Sequence, residues 1–164
     1  MTFKEYIIHQ LKEMRREMLT ATDGLSEEDL VSFEPVGHWP VAWIVEHCTD
    51  VVDSELYSAV HGSSMHSYAS HVKNWFKKEP VPGEAYPGLT EMNRRWEHLC
   101  DAVISDVEAA SDAEIQENHG GSSPYIDNIL LAINHTNSHL RSLWCILGQR
   151  RVDSKWAVQQ DHLA

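Results

Sequence analysis

Residues 124–148 read PYIDNILLAINHTNSHLRSLWCILG, and this stretch decides the fold class. Ile126, Ile129, Leu130, Ile133, Leu140, Leu143, Trp144 and Leu147 recur three and four residues apart, the period of a helix with one apolar side. Asp127, Asn134, Ser138, Arg141 and Ser142 occupy the opposite arc. Pro124 suits the first helical position behind Ser123 as cap, and Gly148 suits the end. The residues after it, 151–164, are polar and are expected to form a loosely held tail.

Three more segments share this period. Thr2-Phe3-Lys4-Glu5 is a capping-box pattern, followed by Phe3, Ile7, Leu11, Met14 and Met18 at helical spacing, with Gly24 as the stop. Pro40 opens a second helix running to His61, with Gly62 closing it. Thr90 is the expected cap of a third, whose face is Met92, Trp96, Leu99, Val103 and Val107. Four helices of about 20 residues, with no alternating segment, predict an all-α four-helix bundle. It occupies residues 1–150, with a long irregular connection between helices two and three. In that connection Met65, Tyr68, Val72, Trp75 and Phe76 suggest a short helix, and Pro80, Pro82 and Pro87 an extended path. Each half of the chain also reads helix, short acidic turn (Ser26-Glu27-Glu28 or Ser111-Asp112-Ala113), then a helix carrying histidine.

A chain of 164 residues suits one domain with a real core. Its net charge of −12 and dispersed basic pairs argue against nucleic acid and anionic membrane as partners, leaving small molecules and proteins. No apolar run approaches the roughly 18–20 residues of a membrane span. The first residues lack the pattern of a signal peptide, so a cytoplasmic address is expected. Cys48, Cys100 and Cys145 have no CxxC spacing and read as reduced core thiols rather than a disulfide framework or zinc knuckle.

Eleven histidines make chance spacings common. His135 and His139 nevertheless stand at i and i+4, about 40° apart on one helix, where two imidazoles can share an ion. Both fall at the border of the apolar arc, beside Ala132 and Ile146. His47 lies at the edge of the second helix's arc, one turn after Trp43, with Asp50 following on the same flank. Such borders suit ligands in a groove between helices, and they equally suit ordinary boundary histidines. Asp50 reads as solvated rather than as a partner of His47, and His71, His98 and His119 as surface residues. No HExxH occurs, so zincin-type proteolysis is not indicated.

Gly37-His38-Trp39-Pro40-Val41-Ala42-Trp43-Ile44-Val45-Glu46-His47 resembles the lead-in to helix two of DinB-like proteins. Asn134-His135-Thr136-Asn137-Ser138-His139-Leu140-Arg141-Ser142-Leu143 resembles their C-terminal HxxxH helix, and the likeness covers residues 2 to 150. The resemblance implies a four-helix bundle, often a homodimer, whose three histidines hold zinc, nickel or another divalent ion such as iron or manganese. Carried over, the ligands are His47, His135 and His139. Many members carry glutamine three residues after the last ligand, whereas this chain has Ser142. Three imidazoles without a thiolate leave an ion open to water or substrate. Characterised relatives include transferases and isomerases that use low-molecular-weight thiols such as bacillithiol or mycothiol. The resemblance therefore implies a metal-dependent thiol S-transferase, or a hydrolase, acting on a small electrophile. The alternative is a non-catalytic metal-binding or dimerisation module with a vestigial site. Metal affinity is expected to fall as pH drops through about 6.5, where imidazole becomes imidazolium.

Overall fold

Helix α1, Phe3–Thr22, starts on the expected capping box. The Glu5 N–H donates to Thr2 Oγ1 at 3.2 Å, and the Thr2 N–H donates to Glu5 Oε2 at 2.6 Å. Ile7, Leu11, Met14 and Met18 are buried, but Phe3 is 55% exposed and takes no part in the core. Gly24, with φ of 73°, turns the chain out of the helix in the left-handed region that glycine tolerates best. The structure is a computed structural model; it describes residues 1–32, 39–67, 80, 82–117 and 124–161, with side chains as far as residue 149.

Two short helices repeat one device. α2, Glu27–Val31, is held by a capping box of Ser26 and Asp29, and inserts Leu30 into the core. The helix Asp112–Gln116, α6 in chain order, has the same box from Ser111 and Glu114 and inserts Ile115. The two-part organisation read from the sequence is thus visible in the fold: long helix, capped acidic turn, histidine-bearing helix.

The second long helix begins as α3, Val41–Val52, widens into a π turn at Asp53–Tyr57, and ends as α4, Ser58–His61, at Gly62 with φ of 73°. Its span matches the expected one, but the π turn was not anticipated. There the buried Asp53 carboxylate accepts the N–H groups of Met65 and His66 at 2.8 and 2.9 Å, drawing the following chain back over the helix. Every residue from Val41 to Thr49 is buried, because this helix is covered by its neighbours on all sides.

α5, Leu89–Ala109, buries the predicted face of Met92, Trp96, Leu99, Val103 and Val107. Its cap is Gly88, not Thr90, which lies inside the first turn. The missing cap acceptor comes from α2: the Leu89 N–H donates to Glu27 Oε1 at 3.2 Å.

α7, Tyr125–Asp161, passes straight through Gly148, so the expected helix stop is corrected. Gly148 does not have a positive φ, and nothing crowds it; one interior glycine costs about 1 kcal/mol, which a long helix absorbs. The buried face of α7 is also turned from the expected arc. Leu130 and Trp144 are each 37% exposed, while Ala132, Thr136 and Ile146 are buried. Packing has rotated the helix toward its histidine side, against the count of large apolar residues.

α1 packs on α5 and α7, and α3 packs on the same two, making the four-helix bundle. Among the described residues there is no strand, and no helix is long and apolar enough to cross a membrane. Cys48 and Cys100 are buried as expected, but Cys145 is exposed. Of the short helix suggested for Met65 to Phe76, residues 65–67 are not helical and the rest lies outside the described residues, as do the Ser123 cap, His71 and His119.

Candidate metal centre

Pro40 fixes the backbone as the chain enters α3, and about two turns later His47 projects into the interior, only 1% exposed. It is therefore not the groove-edge residue that the wheel suggested. His135 and His139, on one face of α7, are partly buried opposite it. The contact between α3 and α7 brings all three together.

One ligand-capable atom from each histidine lies within 4.8 Å of the others. Ring centroids are separated by 5.0 Å for His47 and His135, 4.9 Å for His47 and His139, and 4.6 Å for His135 and His139. The His47 and His135 Nε2 atoms are 2.9 Å apart, a hydrogen bond in which either ring donates according to tautomer. Nitrogens bound to one ion at about 2.0–2.1 Å are themselves about 2.8–3.4 Å apart for angles from right to tetrahedral. The His47–His135 pair therefore already has the spacing of two ligands of one divalent ion, which would replace the proton between them, and His139 offers a third nitrogen within 4.8 Å of both.

The environment keeps these rings in the form that ligates. Burial lowers the pKa of His135, and burial together with the neighbouring His135 pushes His139 down to about 4. Both rings accordingly stay neutral below the pH at which a free imidazole gains its proton, His139 the further of the two. This moves the expected proton competition at these two ligands away from about 6.5 and toward acid.

Two tryptophans wall the cluster. Trp43, fully buried, stacks on His47 with centroids 4.4 Å apart and planes 19° from parallel. Trp39 meets Trp43 edge-on at 4.3 Å and lies over His139 at 6.1 Å, 29° from parallel. The sequence placed Trp43 one turn before His47 but gave no sign that Trp39 reaches across to α7.

On the α5 side, Glu46 is almost fully buried and accepts from Arg95 at 3.4 Å, with Arg95 also bonded to Glu91 at 2.9 Å. Burial raises the Glu46 pKa despite the opposing Arg95 charge. Asp50 is half-buried rather than solvated, and its charge adds to that rise. Ser142 is exposed and donates to the Ser138 carbonyl at 3.3 Å, so its hydroxyl is used on the helix backbone rather than at the cluster. His98 is exposed, as expected.

A family model described as the DinB superfamily matches residues 10–143, a span that includes His47, His135 and His139. No curated protein matches the chain.

Proposed function

The chain belongs to the DinB superfamily, and from that premise we propose that it is a divalent-metal protein acting as a thiol S-transferase on a small electrophile. The observation that carries this reading is the convergence of His47, His135 and His139, with no fourth ligand in the cluster among the described residues. Zinc or nickel suits three neutral imidazoles best, and iron or manganese suits them less. A bound divalent ion supplies Lewis acidity, lowering the pKa of a coordinated thiol or water toward neutrality.

The protein's own residues define the rest. His47 is sealed, so a ligand approaches from the side of the partly exposed His135 and His139. Cys48 and Cys100 are buried, and burial pushes both thiols well up, which makes them poor nucleophiles. Cys145 is exposed but stands about 120° round α7 from His139. The reacting sulfur is accordingly assigned to a low-molecular-weight thiol. In the transfer its S–H is exchanged for an S–C bond, and the electrophile's leaving group departs with the bonding pair and the proton. A homodimer is the setting this reading takes from the resemblance.

The test is a panel of small thiols and electrophiles, assayed with zinc- or nickel-loaded protein, metal-stripped protein and a His135→Ala variant. Thiol-dependent consumption of electrophile by the loaded wild type alone is expected. Metal binding without turnover of any pair would overturn the transferase reading and leave a metal-binding module.

A further inference from the structure

Solvent meets the three-histidine cluster along one strip of α7. Residues 131, 135, 138, 139 and 142 share that face by helical spacing, and apart from the histidines they are Leu131, Ser138 and Ser142. None is charged, and Leu131 and both serines are exposed. Ser142, a short side chain, keeps this rim low. Across from the strip stands Trp39, 38% exposed although it is one of the largest apolar side chains near the cluster. Its position is fixed from behind: Trp43 meets it edge-on, and Trp43 is itself pinned on His47. One side of the indole lies over His139, and part of the rest meets solvent.

A rigid aromatic surface beside the metal ligands, with no charge on the facing helix strip, recognises flat, uncharged π-systems by stacking. We propose that Trp39 is a specificity-determining residue, the shelf that receives the planar conjugated part of an uncharged electrophile. This deepens the transferase reading and rests on it for the identity of the ligand as electrophile. The recognition itself does not require turnover.

The experiment uses the zinc-loaded full chain and two probes, 1,3-dinitrobenzene as an unreactive planar ligand and iodoacetamide as a small non-aromatic electrophile. Binding of 1,3-dinitrobenzene is followed by quenching of tryptophan fluorescence and by calorimetry, in wild type, Trp39→Ala and Trp39→Phe. Zinc content and thermal midpoint are measured on each. The expected result is weakening of about three- to tenfold in Trp39→Ala, the size of an aromatic pair contribution, with substantial rescue in Trp39→Phe. Zinc content is unchanged, and the loss with 1,3-dinitrobenzene exceeds any loss in the reaction with iodoacetamide. Equal binding in wild type and Trp39→Ala, or no binding to either, overturns the proposal. So does loss of zinc in Trp39→Ala, which would make Trp39 a support for His139. Trp39-dependent binding with no turnover of any thiol and electrophile pair keeps the shelf and removes the transferase.

Discussion

Lowering the pH from 7.5 to 5.5 separates this centre from three ordinary histidines. Protons and metal compete for the same nitrogen lone pairs, so affinity falls below each ligand's pKa. A ligand with the usual pKa of about 6.5 loses about tenfold in affinity over that interval, and three such ligands lose about a thousandfold. His139, held at about 4 by burial and by His135, contributes almost nothing to the loss. Burial also lowers His135, so the combined loss is smaller than for three ordinary imidazoles. The assay is zinc competition against a chromophoric chelator whose own proton affinity is corrected for. A thousandfold loss between these two pH values would refute the burial argument. The same shift has a sign for stability. In the metal-free protein the unfolded chain takes up a proton on His139 before the folded chain does. Its stabilisation is therefore complete above about 6.5 and is lost as pH falls from there toward about 4.

Three other perturbations test the scaffold by thermal unfolding. Gly62→Ala should cost about 1–2 kcal/mol, because an L-residue must enter the left-handed region there. Gly148→Ala should gain about 1 kcal/mol, because that glycine sits inside a helix without positive φ or crowding; equal signs for the two would show that the backbone is misread. Glu27→Ala should lower stability by about 0.5–1 kcal/mol by removing the acceptor at the start of α5, and an unchanged midpoint would show that water replaces it without cost.

Local rules in the sequence carried the long helices. The reciprocal pairing of Thr2 with Glu5, the stop at Gly62 and the buried face from Met92 to Val107 each depend on neighbours within a turn or two. What the sequence hid depends on distant partners. Glu27 caps a helix 62 residues away, which made Thr90 look necessary. The π turn exists beside Asp53, whose partners Met65 and His66 lie beyond the helix. Leu130 and Trp144 belong to the inward arc by hydrophobicity alone, whereas the packing of α7 against α1 and α3 sets its rotation. The three histidines were nameable from spacing joined to family resemblance. The complete burial of His47 and the reach of Trp39 over His139 were not, since both arise only where α3 meets α7.

The most direct test of the centre is elemental analysis of purified protein, beside single alanine variants of His47, His135, His139 and His98 and the triple variant of the first three. Wild type and His98→Ala should carry one divalent ion per chain. Each of the other single variants should lose most of it, with far-ultraviolet spectra showing that the helices persist. Undiminished metal in the triple variant would contradict the account.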